Sequence, residues 1–220
     1  MDAYMNESPA THTENTKNLL SVNDLSCLRN DQLLFENLDF DLTSGEILQI
    51  TGPNGCGKTS LLRNICSLSL PDQGEVTWNG KNIRENRPEY LKNICYVGHT
   101  NGIKGELTPL ENLNAAKSLT VARHDLDPEQ ALEQMGLIDY EYLPTKKLSS
   151  GQRRRVALAR LLITQACLWI LDEPFTSLDD SGREILKSKI EAHINNGGMT
   201  IVVTHDPILI SEHQIKSLNL

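Results

Sequence analysis

Apolar and polar positions along the chain mark out strand-like runs at residues 19–27, 33–42 and 46–51. A polar turn, Arg29-Asn30-Asp31, joins the first two and predicts an antiparallel pair. A glycine-rich loop then leads into a helical pattern over 58–68, and short strands are expected near 75–78 and 94–97. The middle of the chain reads helical. Thr108 stands where an N-cap belongs, with Pro109 at the first helical position and Glu111 three residues after the cap. Asp127 and Gly136 bracket a second helix as cap and stop. Beyond Gly151 a long amphipathic helix is predicted, then a strand at 168–172. A helix over 181–195 stopped by Asn-Asn-Gly-Gly, a strand at 199–204 and an edge strand at 213–218 complete the series. Strands that alternate with helices predict an α/β fold, a mainly parallel sheet with helices on both faces. An antiparallel β subdomain would precede it, and residues 100–165 would form an inserted helical subdomain.

The 220 residues suit one domain with a sizeable core. At 39% hydrophobic residues the chain is globular in composition. Its apolar run at 166–171 reads as a buried strand, far short of the roughly 20 residues of a membrane-spanning helix. Residues 1–18 are polar and acidic, with no apolar stretch of a signal peptide, and are expected to be a disordered tail before a domain over 19–220. The net charge of −8 disfavours broad nucleic-acid binding, which needs a basic face. The five cysteines form no CxxC pair and no metal-ligand spacing, so free thiols are expected.

Chemistry enters at residues 52–60, Gly-Pro-Asn-Gly-Cys-Gly-Lys-Thr-Ser, which follow a predicted strand and open a predicted helix. That is the pattern and the context of a phosphate-binding loop. Gly52, Gly55 and Gly57 would let backbone N–H groups turn inward onto phosphate oxygens, with Pro53, Asn54 and Cys56 between them and Ser60 closing the motif. The helix N-terminus adds its positive dipole end. Lys58 would reach the β- and γ-phosphates, and Thr59 would place its hydroxyl on Mg²⁺. The strand at 168–172 ends in Asp172-Glu173. Burying charge is costly, and a Mg²⁺–nucleotide supplies the reason for it. Asp172 would hold the metal, and Glu173 would act as general base on the attacking water. ATP and Mg²⁺ are the cofactors expected.

Residues 148–160, Leu-Ser-Ser-Gly-Gln-Arg-Arg-Arg-Val-Ala-Leu-Ala-Arg, resemble the signature motif of ABC-type ATPases, with Ser150 in place of the usual first glycine. Ser149, Gly151 and the start of the following helix would offer hydroxyl, N–H and dipole to an anion. Residues 177–180 resemble that family's D-loop, with Asp179 at the dimer seam. Residues 202–206 resemble its switch-histidine strand end, with His205 as γ-phosphate sensor. The set covers about residues 19–218. The resemblance implies an ABC-type nucleotide-binding domain on a P-loop NTPase core, with Lys58, Glu173 and His205 as catalytic residues. It implies a homodimer closed head to tail around two ATP. Each site would take Lys58, Thr59, Asp172, Glu173 and His205 from one chain, and Ser149 and Gly151, with Gln152 beside them, from the other. Arg153, Arg154 and Arg155 read as a solvated helix face.

Two positions depart from that family's usual pattern. An aromatic residue after the first strand usually stacks on adenine, and Arg29 falls there. Arg29 either stacks its guanidinium plane on the base or is an exposed turn arginine. A glutamine usually touches the metal and water and couples to the membrane partner, and His99 replaces it. His99 either takes over as a cofactor and metal contact, since neutral imidazole accepts or donates one hydrogen bond, or is an indifferent position. Residues 96–113, with 74–83 and 148–161, resemble the ATP-binding subunit of cytochrome c maturation, or heme exporter, systems. There Gly-His usually continues Gln-Pro, where this chain has Thr100-Asn101. That resemblance implies integral-membrane permease subunits as partners, a peripheral place on the cytoplasmic face of the inner membrane, and ATP spent to release a heme-loaded periplasmic chaperone. Direct heme binding is not expected, and no CxxCH occurs. The alternatives are the ATPase of another small-substrate ABC transporter or a soluble ABC-type ATPase. Soluble members usually carry two ATPase domains or a long coiled-coil insertion.

Overall fold

The structure, a computed structural model, describes residues 17–30, 32–205 and 215–220. The expected tail lies outside these residues except for Lys17 and Asn18. Asn18 is tied to Ser44 by hydrogen bonds in both directions. Asp31, Asp206 and residues 213–214 of the expected edge strand also lie outside.

The first half runs β1 (Leu19–Arg29), β2 (Gln32–Thr43), β3 (Ile47–Thr51), α1 (Lys58–Ile65), β4 (Gln73–Trp78), β5 (Lys81–Asn82), α2 (Arg87–Leu91) and β6 (Ile94–Val97). The second runs α3 (Pro109–Ser118), α4 (Pro128–Gln134), α5 (Ser150–Ala159), β7 (Leu168–Asp172), α6 (Asp180–Asn195), β8 (Met199–Val203) and β9 (Ile215–Asn219). β1 pairs antiparallel with β2 and with β4, giving a four-stranded sheet in the order β2-β1-β4-β5. The other sheet is wholly parallel, in the order β6-β7-β8-β3-β9. This is the α/β arrangement expected, with the antiparallel subdomain in place.

Every residue of β7 and β8 is buried. Alternate side chains of β7 feed two cores, as the pleat requires. Leu168 and Ile170 join Leu61, Leu62 and Ile65 of α1 and the inner face of the antiparallel sheet. Trp169 and Leu171 join the side chains of α4, α5 and α6. The capped helices begin where the residues dictate. Thr108 and Asp127 each form a capping box, with Glu111 and Gln130 respectively.

Three expectations change. The helix expected to reach residue 68 ends at Ile65, because Ser67 turns into the left-handed region at φ 55 and Leu68 N–H bonds back to Arg63. The short elements β5 and α2 were not foreseen. The helix after Gly151 has ten residues and is no amphipathic surface helix: Val156, Ala157, Leu158 and Ala159 are all fully buried, with α3, α4 and α6 packed around it.

Candidate active site

Four neighbouring strands, β6-β7-β8-β3, end on one edge of the parallel sheet. Ligands of such sheets bind at that edge. β3 runs into the loop of residues 52–57 and then α1, β6 into Gly98 and His99, β7 into Asp172 and Glu173, and β8 into Thr204 and His205. Strand order alone therefore brings Lys58, His99, Glu173 and His205 to one rim. A cavity of about 490 Å³ opens there. Arg29, Asn30, Gln32 and Leu34 line one part of it, and Asn54, Gly55, Gly57, Lys58, Thr59, Ser60, His99, Asp172 and Glu173 line the rest, while His205 does not line it.

Gly57 occupies the N-cap position of α1 at φ 110, a conformation open to glycine. A Cβ there would meet Leu34 and the Phe35 ring at 3.0 Å. No side chain caps this helix, so its first N–H groups are left to a ligand. The Lys58 ammonium is nearly buried and donates to the carbonyls of Gly52 at 2.7 Å and Pro53 at 2.9 Å. These are neutral acceptors, and phosphate oxygens would make stronger, charge-assisted partners. Gly52, Pro53 and Cys56 do not line the cavity themselves.

The Thr59 hydroxyl donates to Asp172 Oδ2 at 3.2 Å. One hydroxyl and one carboxylate converging beside a phosphate site is the sparse oxygen set that suits Mg²⁺, which keeps phosphate oxygens and waters as its other ligands. No group of three or more His, Cys, Asp or Glu that could cage a metal occurs among the described residues.

Glu173 sits at φ 49, in the left-handed region that costs a non-glycine residue strain. Its N–H bonds to the Val203 carbonyl at 2.9 Å, and its Oε1 lies 3.5 Å from His205 Nε2. Tyr96, under Gly98, has its hydroxyl pKa pushed up to about 12 by burial and by the Asp172 charge.

Ser149, Gly151 and Gln152 do not line this cavity. They form the start of α5, where the Ser149 hydroxyl accepts from Gln152 N–H and the Gln152 carboxamide accepts from Ser149 N–H. Ser150 is exposed there, so the departure from glycine is accommodated. Asp179 caps α6 by accepting from Gly182 N–H at 2.9 Å, and it pairs with Arg155.

The expected solvated face at 153–155 is wrong for two of its three arginines. Arg154 is 3% exposed, and the Arg155 side chain is largely buried against Asp179. Spacing does not single them out, since Arg153 also lies one helical turn before a fully buried residue, Ala157.

The sequence profile described as ABC transporter matches residues 35–176. The cytochrome c biogenesis ATP-binding export protein CcmA of Nitrosomonas europaea is 47% identical over 205 residues, 92% of this chain and 95% of that one. The chain belongs to the CcmA family of ABC transporter ATPases. The CcmA protein of Escherichia coli K12 is 45% identical over 92% of this chain and 96% of its own length. A solved ATP-binding subunit of an ABC transporter superposes with a TM-score of 0.77 at 26% identity, covering 85% of this chain and 79% of that one. A dimeric ATP-binding cassette bound to ADP and phosphate shares the fold, with a TM-score of 0.75 at 23% identity over 85% and 88% of the two chains. This CcmA-family member binds ATP and hydrolyses it to ADP and phosphate.

Proposed function

We propose that the chain is the ATP-hydrolysing subunit of a membrane-embedded exporter of cytochrome c biogenesis, and that ATP turnover releases a heme-loaded periplasmic chaperone. This reading is supported by the likeness to CcmA proteins along most of the chain, together with an apolar groove near the nucleotide cavity. The groove, of about 370 Å³, is lined by Ile94, Tyr96, Ile103, Leu113, Ala116 and Leu119 among others. Leu119 is 85% exposed at its rim, and Val121 continues the apolar surface into a neighbouring hollow. Exposed apolar surface of this kind marks a protein partner. No helix of the described residues is long and apolar enough to cross a membrane. The chain then works from the cytoplasmic face, with a helix of an integral-membrane subunit in the groove.

In the reaction, Lys58 moves from the Gly52 and Pro53 carbonyls to the phosphate chain, together with the N–H groups of the loop and α1. Thr59 and Asp172 would hold Mg²⁺, which neutralises phosphate charge when bound. Glu173 takes a proton from the water that attacks the γ-phosphorus while the bond to the β-phosphate oxygen breaks, and His205 steadies the Glu173 carboxylate. Arg29 stacks on the base, and His99 faces the metal side of the cavity. Two copies close head to tail, so that Ser149 and Gly151 of one complete the phosphate contacts of the other. Affinity purification of the full chain from detergent-solubilised membranes tests the assignment. Small polytopic subunits should co-purify, and recovery of soluble partners alone would overturn it.

A further inference from the structure

Arg154 is buried, and each of its five guanidinium N–H groups has an acceptor. Nε donates to the Pro174 carbonyl at 3.3 Å, and Nη2 to the carbonyls of Asp172 and Glu173, both at 2.9 Å. Nη1 donates to the Gly98 carbonyl at 2.8 Å and to Asn101 Oδ1 at 3.3 Å. No carboxylate oxygen is among these partners. The acceptors lie in two segments, the loop after β6 and the end of β7 with the turn that follows it, and these strands are adjacent. Three of them are the consecutive carbonyls of the turn that holds Glu173 at φ 49. The other two flank His99, and the residues that follow, Gly102, Ile103 and Lys104, line the apolar groove. A guanidinium is planar and rigid, so a shift of one segment cannot be absorbed without disturbing its bonds to the other.

We propose that Arg154, with Asn101 as its outer acceptor, is a positioning residue that ties the placement of residues 98–101 to the peptide of Glu173. This rests on the reading of Glu173 as general base. A displacement of residues 98–101 is then passed to the three carbonyls around Glu173, and loss of an acceptor on one side loosens the other. Lysine at 154 could not do this, because one ammonium cannot span both segments with a fixed plane.

The test uses the full chain carrying Asn101→Ala, Asn101→Asp or Arg154→Lys, with Glu173→Gln as reference. Hydrogen exchange is followed in peptides covering 52–60, 98–103 and 171–176, beside ATP affinity and turnover. Asn101→Ala should raise exchange at 98–103 and also at 171–176, across the guanidinium, while 52–60 stays as it was. Its kcat should fall about tenfold with KM for ATP within ~2-fold, the effect of a displacement well short of the ~1 Å that costs on the order of 100-fold. Asn101→Asp keeps an acceptor oxygen and should restore both readouts. Arg154→Lys should loosen 171–176 at least as much as Asn101→Ala does. Exchange that rises at 98–103 alone, or an Asn101→Asp variant that behaves as Asn101→Ala, overturns the proposal. Unchanged hydrolysis in Glu173→Gln would instead remove the general-base reading, and the exchange at 171–176 would still decide the coupling.

Discussion

Replacing Gly151 with alanine puts a methyl group where the chain has no room. An ideal Cβ at Gly151 would lie 2.7 Å from the Ser177 carbonyl oxygen, and ordinary contact begins at 3.4 Å. The start of α5 and the Ser177 segment must therefore part by about 0.7 Å, the difference between those distances. Neither side yields cheaply. Ser177 is already at φ 67, followed by the buried Leu178, and α5 is packed on several sides further along. Overpacking costs about 1–3 kcal/mol. Alanine in a helix recovers up to about 1 kcal/mol relative to glycine. The net loss of about 0–3 kcal/mol should lower Tm by no more than about 12 °C for a chain of this size. Turnover should suffer far more, on the order of 100-fold, because Gly151 and the Ser177 segment are displaced against each other at the seam proposed between two copies. Steady-state ATPase, a nucleotide titration and a thermal melt separate the two effects. ATP affinity of the isolated chain should hold within ~2-fold, since Gly151 does not line its own chain's cavity. Gly105→Ala is the control, because a Cβ there would meet nothing closer than Lys146 Cβ at 3.6 Å. A Gly151→Ala protein that turns over within ~2-fold of the parent would refute the argument, by showing that the Ser177 segment moves freely.

Three further outcomes follow from the same geometry. Glu173→Gln should keep ATP bound and accumulate a closed dimer on size exclusion while turnover falls at least ~100-fold, the scale of a lost general base; undiminished hydrolysis would take that role from Glu173. Arg29→Ala should raise the Kd for ATP about 2- to 30-fold at unchanged kcat, the range of a guanidinium–base stack worth ~0.5–2 kcal/mol, and Arg29→Tyr should restore it; an unmoved Kd would make Arg29 an exposed turn residue. His193 is stacked on Trp169 at 3.9 Å, and burial pushes its pKa from 6.5 down to about 4. The unfolded chain takes up a proton below pH 6.5 that the native chain refuses until about 4, so stability falls as pH drops through that window, by on the order of 3 kcal/mol in all. Urea midpoints followed down this window should fall less for His193→Phe, which keeps the stack; parallel slopes would show that His193 is protonated in the native state.

The phosphate loop and the Asp172-Glu173 strand end were legible because each lies within one short window of sequence. So were the caps at Thr108 and Asp127, whose partners stand three residues away. The helix after Gly151 was misread because a search for one apolar face presumes solvent on the other, and α5 is enclosed by the sheet and three helices. Arg154 was misread for a related reason. A charged residue counts as exposed until its acceptors are known, and those acceptors lie 18 to 56 residues away, in segments that only the strand order brings together.

The same non-local origin applies to the aim of the Glu173 carboxylate, the general base proposed above. Asp-Glu at the end of a buried strand supplies the right groups, but a glutamate at φ 49 carries on the order of 1–3 kcal/mol of backbone strain and would relax if left alone. It persists because its own N–H is held by Val203 and the carbonyls on either side of it, with its own, are held by Arg154. The Asp-Glu pair therefore supplies the groups, and Arg154, on α5, holds the turn that carries them. Thr100-Asn101, which stood out in the sequence only as a departure, acquires a place in that logic, because Asn101 is the one side chain among the five acceptors that a point substitution can remove without touching the backbone.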